Sequence, residues 1–285
     1  MQNKKDTMKI GFIGQGFIGK SYADDFDNRG YTVIRYALEE PYVQNKHAIK
    51  TCDIVFVAVP TPSTPGGFDS SILENVIALT GDHKTVVIKS TASPGLTEKI
   101  QSLYPDKVIL FSPEFLREVT AAQDAANPVR NVIGLPIESP IHRKAAEDVM
   151  KILPRAPYEK ITTSMAAEFL KYTSNTLPYV KIVFLNIMYD LVLAKGGNWD
   201  DLRELLAHDP YIAPVHLDPV HKTGRGAGGH CLIKDFAALR EFYEETCGDS
   251  IGVDFLRAAE TKNVNLLKQS QKDLELLEGV YGVSI

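Results

Sequence analysis

Six short apolar runs rich in β-branched residues recur between Lys9 and about Leu135: KIGFIG, TVIRYA, DIVFVAV, TVVIKS, KVILFS and NVIGL. None has a regularly alternating polar face, as expected of strands buried on both sides. The stretches between them, Gly19 to Arg29, Ser70 to Leu79, Gly95 to Leu103 and Pro140 to Leu153, carry apolar residues at helical spacing. This alternation predicts an α/β fold, a doubly wound parallel sheet with helices on its faces.

Beyond Pro154 and Pro157 the strand-like runs stop, and Ser164 to Ala194 becomes one long periodic apolar stretch. A second, mainly helical domain follows, so the expected division is 8–158 and 159–285. Pro178 interrupts the long stretch and predicts a kink near Thr176 or Leu177, because its ring removes a donor and crowds the preceding turn. Further helices are expected at Trp199 to Ala207, Lys234 to Thr246 and Val253 to Leu277, with a Gly- and Pro-rich loop from Asp209 to Gly229.

Composition narrows the function. The 285 residues are 44% hydrophobic and 24% charged, with a net charge of −5 and no basic tract. Nucleic acid is therefore not an expected partner. No apolar run approaches the roughly 20 residues that span a bilayer, and Met1 to Met8 is polar, so neither a membrane partner nor a leader is expected and the location is read as cytoplasmic. Cys52, Cys231 and Cys247 lack the spacing of a disulfide framework or a zinc site, and no metal is expected. Cys52 precedes an apolar run and reads as buried filler. His208, His216 and His221 have no ligand spacing and read as solvated loop residues.

Gly14-Gln15-Gly16-Phe17-Ile18-Gly19 follows the first strand and opens a helix, which is the context that makes GxGxxG a dinucleotide fingerprint. The first glycine permits the turn, the second lets backbone approach a pyrophosphate and the third allows close helix packing, while the helix N-terminus binds the phosphates. The sheet half is therefore expected to be a Rossmann-like domain. An acidic residue would ordinarily end the second strand and bind the ribose, yet Ala37 stands there. Glu39 or Glu40 could substitute, and Arg35 could favour a 2′-phosphate, so NAD is preferred with NADP left open.

Five further segments occur in a definite order: AVPTP at Ala58 to Pro62, KSTASPG at Lys89 to Gly95, SPEFLRE at Ser112 to Glu118, EFLKYTSN at Glu168 to Asn175, and GAGGHCLIKD at Gly226 to Asp235. Together they resemble the UDP-glucose/GDP-mannose dehydrogenase family over nearly the whole chain. The resemblance implies oxidation of a sugar-nucleotide primary alcohol to a carboxylate, in two hydride transfers to NAD through a thiohemiacetal and a thioester. Cys231 matches the nucleophile, a thiolate being able to capture the aldehyde, hold it and later leave. The resemblance also implies that Lys171 steadies the oxyanion, that Asn175 orients substrate and water, and that Glu114 is the base for thioester hydrolysis. Thr91 matches the hydroxyl ordering that water. If the segment after Cys231 is helical, Asp235 shares its face and can hold a water beside the sulfur.

By the same resemblance, the cofactor contacts are the glycine loop, Val59, Pro60, Thr61, Thr91 and Glu118. Phe115, Leu116, Lys171, Asn175, Gly228 and Gly229 touch the substrate. Arg117 reads as neutralising the glutamates beside it, and His230 could tune the thiol. GGHC is closer to the branch acting on UDP-N-acetylhexosamines and LIKD to the UDP-glucose branch, so the sugar stays open. The chain is shorter than typical members, and a C-terminal UDP-binding domain is expected to be lacking. A homodimer through the helical domain is expected, since the long apolar helix would otherwise expose a large surface. Two other readings compete: a single-step β-hydroxyacid dehydrogenase, and a non-catalytic cofactor-binding relative.

Overall fold

A computed structural model describes residues 8–282; most of the polar start lies outside the described residues. The chain divides into two compact units, one comprising the residues up to Thr61 with Asp69–Lys171, the other Pro62–Phe68 with the residues from Tyr172 onward. The sequence places this division at 158/159. In the structure the sheet unit extends further, because a strand at Tyr158–Thr163 and the first turns of the long helix belong to it.

In the sheet unit, β1 (Lys9–Ile13), β2 (Thr32–Tyr36), β3 (Ile54–Val57), β6 (Thr85–Ile88), β7 (Val108–Phe111), β8 (Arg130–Leu135) and β9 (Tyr158–Thr163) form one sheet in the order β2-β1-β3-β6-β7-β8-β9. The two intervening strands by number, β4 (Ser63–Thr64) and β5 (Gly67–Phe68), form a small hairpin in the other unit. All six runs read as strands form strands. Two features depart from the expected parallel sheet: β8 runs antiparallel to β7, paired through Phe111 and Gly134, and β9 adds a seventh strand parallel to β8. The sequence YEKITT lacks a continuous apolar run because β9 is an edge strand with solvent beside it.

Helices α1 (Phe17–Asn28), α2 (Ser71–Ile77), α3 (Leu96–Leu103), α4 (Ala121–Ala126) and α5 (Pro140–Ile152) complete this unit. Ser139 caps α5 by accepting the His142 amide, with Pro140 in the first turn where no donor is lost. The core joins Ile10, Phe12, Phe56, Val87, Leu110 and Ile133 to Phe26, Ala146 and Val149 of the helices. Phe12 stacks on Phe56 with ring centroids 5.1 Å apart, and Phe26 meets Phe12 edge-on at 5.5 Å.

Helix α6 (Ser164–Ala194) spans the periodic stretch without a break and contains Pro178. Its apolar content corrects the expectation that nothing approaches bilayer length. By length and composition alone it could cross a membrane, with a mean hydropathy of 1.6 over its best window. The polar positions Glu168, Lys171, Asn175, Lys181, Asn186 and Asp190 punctuate it, which is why no uninterrupted apolar run is visible. Leu177, Phe184, Ile187, Leu191 and Leu193 are exposed.

The other unit adds α7 (Trp199–Ala207), the two-stranded β10 (Val220–His221) and β11 (Gly224–Arg225), α8 (His230–Cys247), α9 (Ser250–Gln269) and α10 (Leu274–Tyr281). Tyr179 stacks on Phe236 at 3.9 Å, and Ile233, Ala237, Leu267, Leu277 and Val280 form a second cluster. The single helix expected from Val253 to Leu277 is two. Between them Gln271 and Asp273 take positive φ, and Lys272 folds back so that its buried ammonium donates to the carbonyls of Gly224 and Gly226.

Candidate active site

The dinucleotide loop has the backbone its pattern demands. Gly14 adopts φ +90°, and a Cβ there would stand 2.2 Å from the Ala58 carbonyl oxygen. A Cβ at Gly19 would stand 2.0 Å from the Gly14 oxygen, whereas at Gly16 it would meet nothing. The second glycine therefore leaves an open cradle between two tightly packed ones. Gly16 caps α1, whose first turn, including Phe17 and Ile18, has no side-chain cap and no acidic residue, so its amide groups suit a diphosphate. Gln15 donates to the Gly14 carbonyl while its buried Oε1 has no partner. An open cradle and an orphaned acceptor fit a bound dinucleotide.

At the carboxyl ends of β3 and β6, two loops interlock. The Val59 amide donates to Ser90 Oγ at 2.9 Å, and Thr61 Oγ1 donates to the Thr91 carbonyl at 2.9 Å, with Pro60 exposed between them. Ala37 is buried directly after β2, and Glu39 and Glu40 are exposed. Arg35 is committed elsewhere: its guanidinium pairs with Asp24 at 2.5 Å and Asp27 at 3.3 Å. An arginine held by two carboxylates is poorly placed to receive a 2′-phosphate, which favours NAD.

Glu114 and Lys171, 57 residues apart in sequence, form a buried ion pair at 2.6 Å. The same ammonium donates to the Glu114 carbonyl at 2.7 Å, and Glu114 Oε2 accepts the Leu116 amide at 2.9 Å. Glu114 is therefore fixed from both sides. Phe115 lies with its ring centre 5.7 Å from the Lys171 nitrogen, and the Arg130 guanidinium stacks on it at 3.6 Å. Glu118 is exposed. Arg117 does not neutralise its neighbours but binds Asp124 at 2.7 Å, which holds that carboxyl well below the usual range.

In the helical unit Cys231 is exposed in the first turn of α8, and Asp235 follows one turn later on the same helix. The expected helix therefore exists and begins earlier than predicted. Its N-terminus has no side-chain cap and carries the partial positive charge of a helix start. Asp235 is 1% exposed; its Oδ2 accepts from Asn175 Nδ2 at 2.6 Å, and its Oδ1 pairs with Lys234. The backbone of Lys234 is in turn anchored, accepting from Ser63 Oγ at 3.0 Å. On α6, Lys171 and Asn175 are one turn apart.

The glycine loop before Cys231 is held by residues that motif reading missed. Asn263 accepts the Ala227 amide at 2.7 Å and donates to its carbonyl at 2.9 Å. Asp273 accepts the Gly229 amide at 2.8 Å, and a Cβ on Gly228 would stand 2.1 Å from the same carboxylate oxygen. Nothing local marks Asn263 or Asp273, except that a buried asparagine in an amphipathic helix requires a partner. Cys52, read as filler, is fully buried, and burial pushes its thiol up to about 11. His208, His216 and His221 are exposed, and no cluster of metal-ligating side chains occurs among the described residues.

Comparison with known proteins identifies the family and the fold. The NAD binding domain of the UDP-glucose/GDP-mannose dehydrogenase family matches residues 37–154, and the family's central domain matches residues 165–265. YtcA of Bacillus subtilis is 30% identical over 98% of this chain and 67% of its own length. The UDP-glucose 6-dehydrogenase of Rickettsia conorii is 32% identical over 69% of this chain, but the match covers only 46% of that protein. The chain thus spans about two thirds of one curated relative and less than half of another. Among solved structures, a UDP-glucose dehydrogenase from Pyrobaculum islandicum shares the fold with a TM-score of 0.80 at 24% identity, over 99% of this chain and 73% of its own. The 3-hydroxyisobutyrate dehydrogenase of Mycobacterium tuberculosis also shares it, with a TM-score of 0.72 at 15% identity over 98% and 99% of the two chains. Two consecutive domain matches and the relationship to YtcA establish that the chain belongs to the UDP-glucose/GDP-mannose dehydrogenase family.

Proposed function

We propose that this chain oxidises the primary alcohol of a nucleotide sugar to the carboxylate in two hydride transfers, with Cys231 carrying the carbon between them. The carrying observation is Cys231 in the first turn of α8, one turn before a buried Asp235 fixed by Asn175 and Lys234. NAD, when bound, accepts the hydride; Gly14, Gln15, Gly16 and the first-turn amides of α1 hold its diphosphate, with Val59, Pro60, Thr61, Thr91 and Glu118 as further contacts.

Each protein group then has one task. A water held by Asp235 takes the alcohol proton, and the remaining donor capacity of Lys171 steadies the oxygen as negative charge develops. The Cys231 thiolate bonds to the aldehyde carbon, and loss of the second hydride leaves a thioester. Glu114 then takes a proton from a water ordered by Thr91, that water's oxygen bonds to the carbonyl carbon, and the carbon–sulfur bond breaks. Phe115, Leu116, Asn175, Gly228 and Gly229 position the sugar. A cytoplasmic homodimer is part of this reading. The exposed Leu177, Phe184, Ile187 and Leu191 of α6 suit a face covered by a second copy.

Stoichiometry tests the reading. Two NADH per sugar, an acid product and an acylated Cys231 are expected; one NADH with no acid rejects it. The likeness to 3-hydroxyisobutyrate dehydrogenase over the whole of both chains favours, as a second reading, a single hydride transfer in which Lys171 and Asn175 serve alone. In that case Cys231→Ala leaves turnover largely intact.

A further inference from the structure

Lys89 is a buried cation for which the reaction above has no use. It directly follows β6 and is 4% exposed. Its ammonium donates to Ser112 Oγ at 3.0 Å and lies 4.3 Å from the centre of the Tyr22 ring, and among the described residues no carboxylate pairs with it. A hydroxyl and an aromatic face compensate poorly for removing an ammonium from water. The titratable groups bearing on it are Tyr22 from α1, through its ring, and Glu114 after β7 and Lys171 from α6, through their charges. Lys171 holds the direct contact with Glu114. Two buried lysines thus share one buried carboxylate, and neutrality is reached only when one of them gives up its proton. Lys89 lacks that ion pair, and burial favours its neutral form.

We propose that Lys89 is a positioning residue acting through the Glu114–Lys171 pair, its charge deciding how readily Glu114 accepts a proton. The inference rests on the roles given above to that pair. With Lys89 as an amine, the Glu114 carboxylate and the Lys171 ammonium balance, and a proton taken from the hydrolytic water brings the cluster to one positive charge. With Lys89 as an ammonium the same transfer leaves two positive charges in a dry site, which disfavours it. Burial pushes Lys89 down to about 7, with Lys171 lowering it further and Glu114 opposing, so this exchange falls near neutrality.

Two measurements test the proposal. In protein labelled with carbon-13 at lysine Cε, one lysine resonance should titrate near neutrality and vanish in Lys89→Met. Its midpoint should move to lower pH in Glu114→Gln and to higher pH in Lys171→Met. A spectrum with no lysine titrating below pH ~9 overturns the proposal, as does a midpoint that neither variant moves, and both results stand whether or not a nucleotide sugar is turned over. If Lys89→Met does not fold, the response of the wild-type resonance to Glu114→Gln still decides. With an active substrate, the acid limb of thioester hydrolysis should lie near neutrality and shift by about one pH unit or more to lower pH in Lys89→Met. A purely structural role would scale the profile without moving the limb, and a folded variant with an unmoved limb overturns the proposal.

Discussion

Glu168 of α6 accepts the backbone amides of Gly95 at 2.7 Å and Thr97 at 2.9 Å, so a carboxylate 71 residues downstream caps the N-terminus of α3. The Thr97 hydroxyl binds the same carboxylate. Because the capped segment begins four residues after Thr91 and the cap lies three residues before Lys171, one contact fixes two stretches assigned to the site. Glu168→Ala would strand these buried donors at a cost of about 2–4 kcal/mol, read as a lower denaturant midpoint with unchanged slope. Glu168→Gln keeps an acceptor and should recover part of that loss.

Two of the loop glycines make separable predictions. Gly14→Ala combines a left-handed backbone with an overlap on the Ala58 carbonyl, and should lose at least about 1–3 kcal/mol of stability. Gly16→Ala meets no protein atom, so its melting temperature should match wild type. It fills the cradle, however, and should weaken NAD about tenfold or more, equivalent to about 1.4 kcal/mol, by calorimetric titration. Equal NAD affinity in wild type and Gly16→Ala would show that the diphosphate lies elsewhere.

Asn263→Ala should cost about 2–3 kcal/mol, since the amide satisfies both backbone groups of Ala227 inside the protein. The loop it releases leads into Cys231. Alkylation of Cys231 by iodoacetamide, monitored by peptide mass, should therefore change in rate while Cys52 stays unmodified because it is buried.

What could be read in the chain and what could not follows the range of each interaction. Gly14 to Gly19 could be read because strand, glycines and helix are contiguous; Cys231 was named by the family resemblance, and only the placing of Asp235 on its face followed from the one turn of helix between them. The Glu114–Lys171 pair joins segments 57 residues apart, so only the family resemblance named both members, and it did not pair them. β9 escaped because an edge strand has no need of an unbroken apolar run. The break at Ser270 to Asp273 escaped because its cause is remote: Lys272 and Asp273 turn back to the glycine loop more than 40 residues earlier. Lys89 was visible only as a letter of a motif, its burial being a property of the folded unit.

Lys89 should also leave a mark on stability. Its value falls from 10.5 in the unfolded chain to about 7 in the fold. Below about 7 both states hold the proton and stability is flat; between the two values only the unfolded chain holds it, so stability rises with pH. Lys89→Met removes the group and should flatten that rise. Urea midpoints at neutral and alkaline pH, compared between wild type and variant, decide it, and parallel slopes would mean that Lys89 stays charged when folded.

Cofactor choice is the property in which the fold most alters the reading of a single residue. An arginine near the end of the second strand invites a 2′-phosphate, yet the Arg35 side chain is only 14% exposed and its guanidinium is held by Asp24 and Asp27. The two carboxylates neutralise it and would repel a further anion approaching the same edge. Asp24→Asn with Asp27→Asn should free the guanidinium, since the amides retain the shape but not the charge. The double variant should bind NADP about tenfold more tightly than wild type, a gain of about 1.4 kcal/mol, with NAD affinity nearly unchanged. Adding Arg35→Ala should abolish that gain. If the double variant improves NADP binding even without Arg35, the effect comes from lost repulsion alone and the arginine takes no part in discrimination.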